Sequence, residues 1–383
     1  MPRLRILSLF CLTLSCAAHS LAAPPAATPA PPRYSPIPVD AIYAPVQPNG
    51  TADDALASGK VERTVFPMAA KASKAWRIAF LFPHVKDPYW VACSSALISE
   101  ARRLGVAIDI LPATGYDDLA GQLQLMDEAI TARYDAIVIS PIGMTANNAS
   151  IAKARAAGIP VFELANDSRS DDLTIKITTS LREMGRQATR WVLDDARKRG
   201  LKTVNLGLLP GPLGAGWVKG EVDGTRYAAQ VADLEVNIID IRYGDSDAGE
   251  QAELASQMLA RYGNKIDYLI GCTGCAPAAI APLKAAGLAG KIKLVAFDLT
   301  NEIAEAIRQG DIAAAADTRA VSQARVAINA AVNVLEKRQT RLPHTLLIQL
   351  GIVDQQNFSR YPFDSSIAPD NYKLQLKYEP NKS

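Results

Sequence analysis

The sequence predicts an α/β protein built as two doubly wound parallel-sheet lobes. Three observations carry that prediction. From Trp76 onward, apolar β-rich runs alternate with amphipathic segments, the pattern of a parallel sheet covered by helices on both faces. Many of the helical segments end in glycine, at Gly105, Gly158, Gly200 and Gly287, as helices with a left-handed C-terminal cap do. The units are too many for one comfortable sheet, and 383 residues give length enough for two domains.

Taken in order, strands are predicted at 77–82, 106–111, 136–140, 160–164, 203–209, 236–242, 267–271 and 291–297. Each is a short run rich in Val, Ile, Leu or Phe. Helices are predicted at 92–104, 119–132, 147–157, 181–199, 220–231, 250–262 and 277–286, where Ala, Leu, Glu, Gln and Arg dominate. The first junction is the most informative. In His84-Val-Lys-Asp-Pro-Tyr-Trp90, Asp87 can cap a helix whose first residue is Pro88. Tyr89 and Trp90 then occupy the first turn, about 100° apart, so they cannot both face one core. They stand at the carboxyl end of a strand, where open α/β sheets bind ligands.

Before the first predicted strand lie two segments of different character. Arg3 and Arg5 precede the apolar run Ile6–Leu14, and small residues surround Leu21-Ala-Ala23. Residues 1–23 thus read as a signal peptide, and the protein is expected in the periplasm. Cys16 follows Thr-Leu-Ser, a poor context for lipidation. Nine prolines fall between Pro24 and Pro48, so 24–75 is expected to be an extended arm. No apolar stretch reaches the ~20 residues that a membrane-spanning helix needs.

Composition narrows the function. A net charge of +2 forces no basic face, which argues against nucleic acid. With 49% hydrophobic and 21% charged residues the chain is of globular type. Past the leader only His84 and His344 remain, and the H-E-x-x-H, G-x-S-x-G and Walker A patterns are missing. Gly214-Ala-Gly-Trp-Val-Lys-Gly220 has G-x-G-x-x-x-G spacing, with a tryptophan where a dinucleotide needs close backbone approach. Cys272-Thr-Gly-Cys275 has C-x-x-C spacing without a second pair or paired histidines, which excludes a zinc ribbon. A local disulfide and a strand-end loop that happens to hold cysteines both remain open; thiol redox catalysis is the third reading. The expectation is a binding protein, not an enzyme, with neither cofactor nor metal.

Aromatic residues stand out instead. They make up only 6% of the chain, yet Tyr89, Trp90, Tyr116 and Trp217 all fall where a predicted strand gives way to a helix. One such residue would be read as packing against its helix; four at equivalent junctions read as a ligand cage.

The pattern resembles the type I periplasmic binding proteins, the ribose-binding and LacI-like group, over roughly 76–350. The resemblance rests on DPYW at 87–90 after the first strand, GIPVFELAND at 158–167, KLVAFD at 293–298 and IAEAIRQGDIAAAADT at 303–318. It implies two lobes joined by a hinge of three crossings, with one lobe at 76–180 plus 299–338 and the other at 181–298 plus 339–383. Sugar-binding members of the group tend to carry arginine where this chain has Trp217, and an Asp-Arg pair where it reads Asn166-Asp167. Losing arginine forks and gaining an aromatic face favours a methylated cationic group over hydroxyls.

A narrower resemblance, carried by AWRIAFLFPHVKDPYWVA, GYDDLAGQ and PGPLGAGWV, is to periplasmic sensors of trimethylamine N-oxide (TMAO) of the TorT type. It implies a small methylamine ligand and, as partner, the periplasmic domain of a membrane sensor histidine kinase (TorS-like) that controls TMAO respiration. On this resemblance Tyr89, Trp90 and Trp217 enclose the methyl groups. Tyr116 or Asp87 serves the polar end or the positive nitrogen, and Asn166 donates to the N-oxide oxygen. Asp298, in Phe-Asp-Leu-Thr300, departs from that pattern toward the sugar binders; it accepts hydroxyls there, or balances a trimethylammonium charge. The alternative is therefore a sugar-binding component of an ABC transporter. Genes for a permease and an ATPase nearby would favour it, and genes for a kinase, regulator and reductase would favour the sensor.

Overall fold

The computed structural model describes residues 36–43 and 48–380. The expected signal peptide and the first part of the proline-rich arm lie outside the described residues. In chain order the elements begin with β1 (Pro38–Ile42), α1 (Ala52–Ser58), β2 (Val61–Val65), β3 (Arg77–Phe82), α2 (Pro88–Leu104) and β4 (Ala107–Pro112). Then come α3 (Leu119–Thr131), β5 (Ala136–Ile139), α4 (Asn148–Ala156), β6 (Val161–Leu164), β7 (Ile175–Thr178) and α5 (Leu181–Lys198). The next group is β8 (Thr203–Gly211), α6 (Gly216–Gln230), β9 (Glu235–Tyr243), α7 (Ala248–Tyr262), β10 (Tyr268–Gly271), α8 (Cys275–Ala278) and α9 (Ile280–Ala285). Last are β11 (Lys293–Ala296), α10 (Asn301–Gln309), β12 (Ala314–Asp317), α11 (Ala320–Leu335), β13 (Thr345–Ile348), β14 (Gly351–Asp354) and β15 (Lys377–Tyr378).

Two sheets result. The first runs β15-β4-β3-β5-β6-β7-β13-β1-β2, and the second β14-β12-β11-β10-β8-β9. Strands β4 through β13 of the first are mutually parallel, and β9 through β12 of the second likewise. Parallel strands buried on both faces explain the continuous apolar runs, such as Ile78–Phe82, all fully buried. The fold is thus two doubly wound α/β lobes. The glycines at 105, 158, 200 and 287 do adopt positive φ, between 67° and 79°.

The chain crosses between the lobes three times: from β7 to α5, from β12 to α11, and from β13 to β14. The second crossing differs from the boundary expected at 298/299. Helix α10 buries Ile303 and Ile307 in the core of the second lobe, and β12 pairs with β11 there. A strand of three alanines and Asp317 is hidden to propensity, because alanine and aspartate are depleted in strands; here burial between two neighbours decides. The tail also divides. β13 and β15 join the first sheet and β14 the second, so 339–383 is not one piece of the second lobe.

The arm departs most from expectation. Within 24–75, β1 lies between β13 and β2, with Val39, Ala41 and Ile42 fully buried. Pro38 opens the strand, a position that proline tolerates. Helix α1 is held by a capping box between Thr51 and Asp54. Proline content masks a local pattern that alternates correctly for a strand.

Candidate functional site

All seven predicted site residues line one cavity between the lobes, with about 530 Å³ of space between atoms, counting its open mouth. From the first lobe come Asp87, Tyr89, Trp90, Tyr116 and Asn166; from the second come Trp217 and Asp298. The ends of β3, β4, β6, β8 and β11 deliver them, all at strand carboxyl ends.

The opening junction folds as its chemistry dictates. Asp87 Oδ1 accepts from the backbone N–H of Tyr89 at 2.9 Å and of Trp90 at 3.3 Å, with Pro88 as the first helical residue. The two rings stand at 81° with centroids 5.0 Å apart. Trp90 rests against Phe82 of β3 at 4.7 Å, so one edge meets the core while the side chain lines the cavity. Opposite, Tyr116 and Trp217 approach across the cleft at 5.9 Å. The Trp217 ring lies over Gly211, where any Cβ would sit 2.4 Å from the indole; only glycine fits that place.

Asn166 does something other than expected. Its amide donates to Tyr116 Oη at 3.1 Å and to the Pro141 carbonyl at 3.0 Å, which uses both N–H groups. It positions Tyr116 and has no proton left for a ligand. The preceding residue, Ala165, also lines the cavity and has a φ of 66°, uncommon outside glycine.

Asp298 is buried. Its Oδ1 accepts from the Leu299 and Thr318 backbone N–H groups, and its Oδ2 from the Thr318 hydroxyl at 2.6 Å. Burial, then repulsion from Asp317, pushes its carboxyl up to about 7 against those hydrogen bonds. A raised acid binds more protons in the folded state, so this group's stabilising share is complete below about pH 4 and lost as pH rises through about 7. In Asp298→Asn the fall in melting temperature between pH 5 and pH 8 is therefore expected to flatten. An unchanged pH slope would contradict that assignment.

Sequence reasoning missed Glu221. It lies on α6 one turn after Trp217, lines the same cavity, and is 2% exposed. Burial, then the nearby Asp298, holds its carboxyl well above the usual range. The i, i+4 spacing from Trp217 was the available signal. Gln323 and Thr318, from the second crossing and α11, complete the wall. No arginine or lysine is among the lining residues.

Cys272 and Cys275 form a disulfide, with both residues buried. A sulfur this inaccessible offers no thiolate to a substrate. Among the described residues no group of three or more His, Cys, Asp or Glu side chains is placed to hold a metal ion, and no helix is long and apolar enough to cross a membrane.

Comparison with known proteins agrees with this architecture. The family model of the periplasmic binding protein domain matches residues 78–339. The periplasmic protein TorT of Escherichia coli (strain K12) is 28% identical over 309 residues, 81% of this chain and 86% of that protein. TorT in complex with the TorS sensor domain in the presence of TMAO has a similar fold, at a TM-score of 0.68 and 22% identity, covering 79% of this chain and 99% of that one. The crystal structure of an ABC transporter solute-binding protein from Bradyrhizobium sp. BTAi1, with bound bis-Tris, aligns at a TM-score of 0.73 and 30% identity over 90% of this chain and 98% of its own. The D-ribose/D-allose-binding protein of Pseudomonas aeruginosa is 26% identical over 222 residues, 57% of this chain and 68% of that protein. With two doubly wound lobes, three crossings and an enclosed cleft between them, this chain belongs to the periplasmic binding proteins of type I.

Proposed function

We propose that the cleft binds trimethylamine N-oxide or a similar methylamine, and that the exported protein reports its occupancy to the periplasmic domain of a membrane sensor histidine kinase. One observation carries the reading: four aromatic side chains and three carboxyl groups line the cavity without a single arginine or lysine. Aromatic faces attract methyl groups that share a positive nitrogen charge, at about 0.5–2 kcal/mol per contact. A polyhydroxy ligand would instead need the hydrogen-bonding forks that arginine supplies. The similarity to TorT, seen in complex with the TorS sensor domain in the presence of TMAO, supports the same ligand class and a sensor partner.

The mechanism is binding followed by hinge closure, without a chemical step. Tyr116 and Asn166 belong to one lobe and Trp217 and Glu221 to the other, so a ligand touching both stabilises the closed arrangement that a partner can read. Its effect is limited to the difference between its affinities for the open and closed states.

The second reading is a sugar-binding component of an ABC transporter. Asp298 at the end of β11 favours it, as do relatives named for ribose, allose and ABC transport. Titration calorimetry with TMAO, choline, trimethylammonium and ribose separates the two. Heat with TMAO and none with ribose is the expected result; clear ribose binding alongside no response to any methylamine would overturn the proposal.

A further inference from the structure

We infer that Glu221 is the residue that reads the polar end of the ligand, donating a hydrogen bond to a ligand oxygen and so selecting an amine oxide over an ammonium. The inference rests on the methylamine reading of the cleft and narrows it to one chemical class.

Glu221 is buried on the cavity wall, and its Oε2 has no hydrogen-bond partner. Buried carboxyl oxygens are almost always paired, so this one points to a group that is supplied from outside the chain. The indole N–H of Trp217, one turn earlier on α6, is also buried, with the Tyr116 hydroxyl as its neighbour and no full hydrogen bond made. The two side chains project from the same helix face into the same space. The other carboxyls are already engaged, Asp87 by the first turn of α2 and Asp298 by Thr318 and Leu299. Glu221 and Trp217 are thus left open to a ligand, together with Gln323 Oε1, an acceptor on the same cavity that cannot serve a ligand oxygen.

The surroundings decide which proton state the pair presents. Glu221 is buried beside Asp298, with Asp87 lining the same cavity from the other lobe and no cationic side chain among the lining residues. A carboxyl in such a place keeps its proton, and a neutral acid in an apolar site is a hydrogen-bond donor. Beside the Trp217 N–H it forms a two-donor seat. An N-oxide oxygen, strongly accepting and carried on three methyl groups, fills both donors at once. A trimethylammonium ion offers neither donor an acceptor.

The position is built by the backbone. Helices α5 and α6 touch at Gly185, where a Cβ would come within 2.1 Å of the Glu221 carbonyl, and at Gly224, where one would meet the Arg182 carbonyl at 1.9 Å. That close approach sets α6 deep enough for residue 221 to reach the cavity rather than solvent.

The test is calorimetry on the purified protein with TMAO, trimethylammonium and ribose, for the parent chain, Glu221→Gln and Glu221→Leu. The parent is expected to prefer TMAO to trimethylammonium by at least about tenfold, the worth of one hydrogen bond left unmade. Glu221→Gln, whose amide still donates, is expected to hold TMAO within about threefold and trimethylammonium unchanged. Glu221→Leu is expected to lose about tenfold toward TMAO. Equal TMAO affinity in the leucine variant would overturn the inference, and so would a Gln variant that loses trimethylammonium, because that would make Glu221 an anionic partner. Where the leucine variant does not fold, Glu221→Met, whose side chain neither ionises nor donates, takes its place with the same expected loss. A parent protein that takes ribose or trimethylammonium but no TMAO defeats the methylamine-oxide reading itself, whereas TMAO binding that ignores both variants defeats only the role of Glu221.

Discussion

Trp217→Ala is expected to bind TMAO about 30- to 100-fold more weakly than the parent chain, the largest loss at any single cavity residue. Two contributions add. The indole face supplies one wall of the aromatic enclosure opposite Tyr116, at 5.9 Å, a contact of roughly 0.5–2 kcal/mol toward a methylated nitrogen. It also covers apolar surface that a small ligand would otherwise leave wet, at about 25 cal/mol per Å². The residue comes from the lobe opposite Tyr116, so its loss weakens closure as well as contact. The unliganded fold should survive, because the ring is only half-buried and rests on Gly211. A melting temperature within a few degrees of the parent is the control. Trp217→Phe separates the two roles of the side chain: it keeps a face and loses the N–H, so it is expected to fall between parent and alanine. Unchanged TMAO affinity in the alanine variant would remove Trp217 from the site.

The same residue shows how much was legible in advance. Each aromatic of the cage is placed by a local signal: an apolar run, then a cap or a loop, then a helix. Asp87 and Pro88 mark the start of α2 to the residue, since the cap and the first-turn proline agree. Bringing five loop ends to one cleft follows from parallel topology alone. What stayed hidden depends on contacts distant in sequence. Glu221 resembles any exposed glutamate of an amphipathic helix, until Gly185 and Gly224 let α5 and α6 close on each other. Asn166 was expected to donate to the ligand, and no local pattern shows Pro141 and Tyr116 taking both its protons. Strand β12 is three alanines and an aspartate, and its place in the second sheet is decided by β11 and β14 on either side. Strand β1 hides in a proline-rich run, because composition speaks for the whole arm while pairing with β13 concerns four residues, Val39–Ile42.

Lys176→Met is expected to destabilise the protein by about 3–5 kcal/mol, the cost of breaking a buried ion pair from one side. Lys176 is 1% exposed on β7. Its ammonium meets Asp167 at 2.9 Å, Glu163 at 3.7 Å, the Ser168 carbonyl, and the Gly50 carbonyl at 3.2 Å. Glu163 is itself pushed up to about 8 by burial, against the pull of the ammonium. Without the lysine, the buried Asp167 carboxylate loses its cation beside a Glu163 that already holds its proton. For a chain of this size the melting temperature should fall by about 4–7 °C. The loss reaches further than the lobe. Asp167 also accepts from the Ala52 backbone N–H at 2.7 Å, and Asp53 of the same segment accepts from Ser180 and from the Arg182 N–H at the first crossing. The network thus fastens α1 to the first lobe beside the hinge. Trypsin should therefore cut the variant faster at Lys60 and Arg63, both exposed in or beside β2. Adding Asp167→Asn removes the stranded carboxylate while keeping an acceptor for the Ala52 N–H, and should recover part of the lost stability, which a simple packing defect at residue 176 would not permit. A variant that melts within 2 °C of the parent, with unaltered cleavage, would show that the arm is held by its strand pairing alone and that the buried charges contribute nothing to it.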